Sequence, residues 1–142
     1  VNAAGDIYDA DSGRKLAGML APDHRSFASG EARMVSRYDV VKNRFTGRNT
    51  TLAVVLCNGA FNSQQLGRIA AMAHDGYARS IRPVHTSADG DSIYAVSVGS
   101  VEADLDLVGA LSAEIVSEAI IRAVEASDSA YGLPSAAELN GP

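Results

Sequence analysis

The chain has 142 residues, 46% apolar and 20% charged, with a formal net charge of −5. That is the make-up of an ordinary globular domain, and its acidic balance argues against nucleic acid as a main partner, because phosphate recognition needs a basic surface. No apolar run approaches bilayer-spanning length, so no membrane partner is expected; the single cysteine, Cys57, has no intrachain partner, which allows a reducing, cytoplasmic setting.

The chain opens Val1-Asn2-Ala3-Ala4-Gly5-Asp6-Ile7-Tyr8, without an initiator methionine, a basic leader or an apolar signal segment. It reads as a cut edge, closer to the end of a strand than to the start of a protein. Asp9-Ala10-Asp11-Ser12-Gly13 is a turn by composition. Its spaced aspartates resemble the start of a calcium loop, but the other ligand positions and the closing glutamate are missing, and no metal is expected. Residues 21–49 are the least periodic part and predict a long surface connection, a kind that is usually functional or mobile. His24 reads as a solvated loop residue, and Arg33, Arg37, Lys42, Arg44 and Arg48 as a solvated face.

Gly47-Arg48-Asn49-Thr50-Thr51 then runs straight into the apolar stretch 52–57, which predicts a fully buried strand. Two threonines thus stand at the mouth of a core strand. Threonine is an ordinary strand opener, the asparagine fits a turn, and Asn49-Thr50-Thr51 also fits the glycosylation pattern. A fixed nucleophile is the chemical alternative. A threonine hydroxyl needs a base, and cutting the chain before it frees an α-amine that serves.

A helix is predicted from an Asn62 or Ser63 cap to about Ser80, with Leu66, Ile69, Ala70, Ala73 and Tyr77 on its buried stripe. His74 reads as a packed or partly exposed neighbour of that stripe. Pro83 forbids further helix, and residues 82–91 form a loop into a strand over 92–98. Asp89-Gly90 alone is a tight turn. A strand–helix–strand unit favours parallel neighbours, so the mouths of the two strands share an edge, where Thr50 can meet Asp89 and Asp91. A long helix is predicted from an Asp104 or Asp106 cap to about Ala126. Its buried face is read as Leu107, Val108, Leu111, Ile115, Ala119 and Val124, packed over the sheet. Residues after Ser127 read as a loose tail.

Asn49-Thr50-Thr51 before an apolar strand, the helix, and then Pro83-x-His85-Thr86-x-x-Asp89-Gly90-Asp91 together resemble the L-aminopeptidase/D-esterase family, which includes β-aminopeptidases and nylon-oligomer hydrolases. The segment from Val1 to Asp6 resembles the stretch upstream of that family's cleaved bond. The resemblance implies an α/β fold, the C-terminal part of a four-layer α/β/β/α sandwich. It implies a precursor that cuts itself at Asn49–Thr50, so that residues 1–49 end the α chain and 50–142 form the β-chain region. Thr50 would be the nucleophile, Asp89 and Asp91 its acidic support as in the nylon-oligomer hydrolases, and Asn2 a polar stabiliser near the scissile amide. The β-aminopeptidases carry a serine and a glutamate where this chain has the two aspartates, and a lysine upstream in the nylon hydrolases lies outside this chain. The implied substrate is a small amide or peptide with a free amine, ω-amino acid oligomers included. The implied partners are the rest of the α chain and, in a homotetramer, further copies; no metal or organic cofactor is called for. An acyltransferase of the ornithine-acetyltransferase kind and a non-catalytic, unprocessed domain are the alternatives.

Overall fold

The computed structural model describes residues 1–36, 49–87 and 89–141. Positions 37–48 of the expected surface connection, with the turn residues Gly47 and Arg48 and the basic residues Arg37, Lys42 and Arg44, lie outside them.

The first elements are β1 (Asp6–Tyr8) and β2 (Lys15–Ala17), an antiparallel pair. The Asp9–Gly13 turn joins them, and the Asp9 carboxylate takes the Ser12 amide at 2.7 Å and its hydroxyl at 2.6 Å. Asp6 is buried and organises the chain beyond β2. Its carboxylate accepts the amides of Met19 and Gly30, both at 2.8 Å, and pairs with Lys15 Nζ at 2.7 Å. A buried charge so fully partnered holds residues 15–30 against the sheet. The short helix α1 (Gly30–Val35), capped by Ser29, falls where an irregular connection was expected.

β3 (Leu52–Gly59) and β5 (Ser92–Val101) are parallel neighbours, joined through α2 (Ser63–Ser80) and the two-residue β4 (Ile81–Arg82). The expected strand–helix–strand unit is therefore present. β4 pairs antiparallel with β1. α2 begins with a reciprocal cap: the Asn62 side chain takes the Gln65 amide at 3.0 Å, while the Gln65 side chain takes the Asn62 amide at 2.9 Å. Its stripe buries Ile69, Ala73, Gly76, Tyr77 and Ser80.

α3 (Leu105–Glu125) starts at an Asp104 cap and ends at Ala126, as expected, but its buried face is not the expected one. Gly109, Ser112, Ala113, Val116, Ser117 and Ile120 face inward, while Leu107, Leu111 and Ile115 are exposed. The reason is the close crossing with α2. A Cβ on Gly76 would strike the Ala113 carbonyl, and the buried Ser80 and Ser117 hydroxyls meet at 2.6 Å. Small side chains permit that approach, so the leucine stripe turns outward. The two helices form one layer over the sheet, around a core of Ile7, Ala73, Tyr77, Ile81, Ile93, Val116 and Ile120.

Two further expectations change. The 52–57 run is not buried throughout: it alternates, and Leu52, Val54 and Leu56 are 65–67% exposed. Tyr94 and Val98 of β5 are exposed beside them. Helices cover one face of this two-stranded sheet, and the other lies open. The segment after Ser127 is not a loose tail either. It turns at Ala130–Leu133, enters α4 (Ala136–Asn140), and docks on β2 through Asn140 Nδ2 to the Leu16 carbonyl at 3.1 Å.

Candidate active site

Parallel pairing of β3 with β5 aligns Leu52 with Ser92, so the residues just before each strand meet at one edge. Asn49 bridges Asp89 in the parallel sense, and Asn2 bridges Thr50 in the antiparallel sense. All five residues expected at the site, Asn2, Asn49, Thr50, Asp89 and Asp91, are thereby gathered.

The Asn49–Thr50 peptide is gripped on both sides. Its N–H donates to the Asn2 carbonyl at 3.0 Å. Its carbonyl accepts the Gly90 N–H at 3.0 Å and the Thr50 hydroxyl at 2.7 Å. Asn2 thus reaches the Asn49–Thr50 amide through its main chain. Gly90 leaves the space that Thr50 fills: a Cβ there would lie 2.9 Å from Thr50 Oγ1.

The carboxylates take different partners. Asp91 Oδ1 accepts the Thr51 amide at 3.0 Å, and its Oδ2 lies 3.2 Å from His85 Nδ1. Asp89 Oδ2 accepts the Thr86 hydroxyl at 2.6 Å and the Thr86 amide at 3.3 Å. Asp89 Oδ1 and Thr51 Oγ1 are buried without a hydrogen-bond partner among the described residues. Asp91 therefore supports the backbone just after Thr50, and Asp89 braces the loop that presents Gly90.

Below them, Tyr77 is wholly buried, and its hydroxyl reaches the carbonyls of Thr51 at 3.1 Å and Ser92 at 3.2 Å. It ties the two strand mouths together. Burial, with the Asp91 charge adding, pushes its phenol up to about 12. His74 stands edge-on to Tyr77, with ring centroids 5.3 Å apart. Burial and then the neighbouring His85 lower its pKa, favouring the neutral ring. Among the described residues no cluster of three or more His, Cys, Asp or Glu could hold a metal, and no helix is long and apolar enough to cross a membrane.

Sequence reasoning passed over Gly90, His85 and Tyr77. The motif contained the first two, but a backbone N–H carries no signal of its own, and Tyr77 looked like any core residue on a stripe.

A mixed α/β domain with a threonine peptide clamped between parallel strand mouths is what the chain presents. It belongs to peptidase family S58, whose model matches residues 8–136, a span holding Asn49, Thr50, Asp89 and Asp91. This is the L-aminopeptidase family that the motifs resembled. The chain is 29% identical over 150 residues to an uncharacterized aminopeptidase of Mycobacterium leprae, covering 95% of this chain and 41% of that protein. An uncharacterized aminopeptidase of Mycobacterium tuberculosis is 31% identical over 157 residues, covering 95% and 44%. A 6-aminohexanoate-oligomer endohydrolase of a Kocuria species is 26% identical over 90 residues, covering 54% and 25%. The chain spans less than half the length of these relatives.

Proposed function

We propose that this chain is the nucleophile-bearing part of a self-cleaving amide hydrolase, with Thr50 as the nucleophile. The observation that carries the reading is the grip on the Asn49–Thr50 peptide: Asn2 on its N–H, Gly90 and the Thr50 hydroxyl on its carbonyl. Thr50 Oγ1 attacks the Asn49 carbonyl carbon through a five-membered ring. The oxygen that takes up negative charge already faces the Gly90 N–H, a donor in place before the reaction starts. Collapse breaks the C–N bond, and the nitrogen takes the hydroxyl's proton to become the Thr50 α-amine. Asn49 is left as an ester on Oγ1, and water hydrolyses that ester to the Asn49 carboxylate and a free hydroxyl.

The freed amine has a reference pKa of about 8, suited to a general base at neutral pH. It takes the Thr50 hydroxyl proton as Oγ1 attacks a substrate amide, and passes it to the departing amine. Water then releases the acyl group. The substrate carbonyl occupies the place of the Asn49 carbonyl, with Gly90 as donor to its oxygen. Asp91 fixes the Thr51 backbone and adds a negative charge nearby, and Asp89 holds the loop. No metal or organic cofactor takes part.

The finer fold follows the same reading. The open face of Leu52, Val54, Leu56, Tyr94 and Val98 is the inner face of a four-layer α/β/β/α sandwich, covered by an upstream part of the polypeptide. The protein works as a homotetramer in the cytoplasm. The substrate is a small aminoacyl amide or peptide, ω-amino acid oligomers included, as the names of the relatives suggest.

The test is the mass of the full-length protein as it matures. Cleavage at Asn49–Thr50 with a new terminus Thr-Thr-Leu-Ala, and none in Thr50→Ala, is the expected result. An active enzyme with that bond intact overturns the reading. Transfer of the acyl group to an added amine in preference to water makes the enzyme an acyltransferase instead.

A further inference from the structure

Thr51 is held from both sides by one cluster. Its amide meets Asp91 Oδ1 at 3.0 Å, and its carbonyl meets the Tyr77 hydroxyl at 3.1 Å. The Asp91 side chain is 6% exposed, and its second oxygen lies 3.2 Å from His85 Nδ1. A carboxylate only accepts, so any hydrogen bond across this contact has to come from Nδ1–H. We propose that His85 is a positioning residue, holding the Asp91 carboxylate in the rotamer that grips the Thr51 amide and so fixing Thr50 one bond upstream. This rests on Thr50 being the nucleophile.

The surroundings of His85 are built for that task. Its φ is 54°, in the left-handed region that few non-glycine residues adopt and that histidine enters more readily than most; His24 and Tyr131 share it. Such a backbone persists where its surroundings hold it, and it is concentrated at working sites. The ring is braced by His74, with centroids 4.9 Å apart at 63°, and by Tyr77 at 6.0 Å. Among the described side chains His85 is the one paired with Asp91, so it and the Thr51 amide together set the carboxylate's rotamer. Proximity catalysis is sensitive to displacements of about 1 Å, even when the change lies off the reacting atoms. Freeing Asp91 loosens the Thr51 amide and lets the attacking hydroxyl wander.

Packing and hydrogen bonding are separable here. His85→Phe keeps a ring against His74 and Tyr77 but removes the donor. His85→Gly relieves the backbone and also lacks the donor. His85→Asn offers an amide nitrogen near the position of Nδ1, and asparagine tolerates positive φ. In the full-length protein, Phe and Gly are expected to slow both self-cleavage and kcat on an aminoacyl p-nitroanilide tenfold or more, with KM within threefold. Asn is expected to recover kcat to within threefold of wild type. Thermal melts identify any variant that has lost its fold, and the Gly variant keeps the comparison available if Phe does. Wild-type rates in the donorless variants, or an Asn variant as slow as they are, overturn the proposal. Thr50→Ala is run beside them. If it still cleaves, the nucleophile assignment itself falls; if it is inert while every His85 variant is normal, only the role of His85 falls.

Discussion

The amide nitrogen of Gly90 lies 3.0 Å from the carbonyl oxygen of Asn49. In the proposed self-cleavage that donor is in place beforehand, and it stands one residue from each of the two aspartates. Its position follows from strand pairing, since the Asn49–Asp89 bridge extends the parallel β3–β5 ladder past the strand ends.

The first prediction concerns that residue. A methyl on Gly90 would sit 2.9 Å from Thr50 Oγ1 and 3.8 Å from the Asn49 oxygen. Something must shift, and the hydroxyl and the loop are the groups in the way. Gly90→Ala keeps the N–H but pushes it or the hydroxyl out of place, and should therefore slow self-cleavage about 10²-fold, the scale of a misplacement of roughly 1 Å. The fold should survive, because the contact lies at the sheet edge and not in the core. Timed gel or mass analysis of freshly made protein, with a thermal melt for control, checks this. Rapid cleavage in the alanine variant would remove Gly90 from the chemistry.

A second prediction ranks the aspartates. Asp91 accepts the Thr51 amide, and its second oxygen lies 3.2 Å from His85 Nδ1. An asparagine there offers one oxygen and one NH₂, so one partner faces a donor unless His85 changes tautomer. Asp91→Asn should lower maturation and hydrolysis about 10²-fold, the scale of misplacing an attacking group by roughly 1 Å. Asp89 uses only Oδ2, on Thr86, and its Oδ1 is unpartnered among the described residues. An asparagine can keep the first contact and place its NH₂ at the second position, so Asp89→Asn should cost less. Equal effects, or a reversed order, would contradict this division of labour.

How far the sequence could be read depended on the kind of signal each feature leaves. α2 was legible because Asn62 caps it and its apolar residues recur on one stripe. The ends of α3 were legible from Asp104, but its face was not. Hydrophobicity favoured Leu107, Leu111 and Ile115, whereas close packing on Gly76 favoured Ala113 and close packing on Met72 favoured Gly109. β2 and β4, of three and two residues, are too short to carry a period. At the site, carboxylates and threonines are conspicuous as residue types, and the strand–helix–strand order brought them to one edge. The Gly90 N–H and the His85–Asp91 contact depend on how one loop is folded, which no spacing encodes.

The third prediction concerns pH. An unfolded tyrosine ionises near 10.0, while burial holds Tyr77 protonated to about 12. Between those values the unfolded chain has lost a proton that the folded chain keeps. The contribution of Tyr77 is therefore complete below pH 10 and is lost as pH rises towards 12. His74 has the opposite form: its pKa is lowered from 6.5, so the unfolded chain takes up a proton first. Stability is unaffected by it above about pH 6.5 and falls as pH drops below. Urea unfolding at a series of pH values should show both arms. Tyr77→Phe should flatten the alkaline one, and His74→Gln should weaken the acid one. Unchanged curves in both variants would mean that neither group is held neutral by the fold.

The last prediction concerns the open face of the β3–β5 sheet. Leu52, Val54, Leu56, Tyr94 and Val98 are exposed on it, and an apolar patch of that kind invites association. The relatives are more than twice as long as this chain, and the proposed sandwich covers the patch with upstream residues. The 142-residue chain made alone should then associate, stay uncut and show no hydrolysis, while the full-length protein matures. Replacing Val54 and Tyr94 with lysine should disperse the isolated chain, because the charges point away from the helices and disturb no core contact. The same double change in the full-length protein should do the reverse and block maturation, since it would bury two unpaired charges between sheets. Light scattering on the isolated chain and mass analysis of the full-length protein separate the two effects. A monomeric isolated chain that cleaves itself would show that the site is complete within these residues. Normal maturation of the lysine variant would show that this face is not buried against a second sheet.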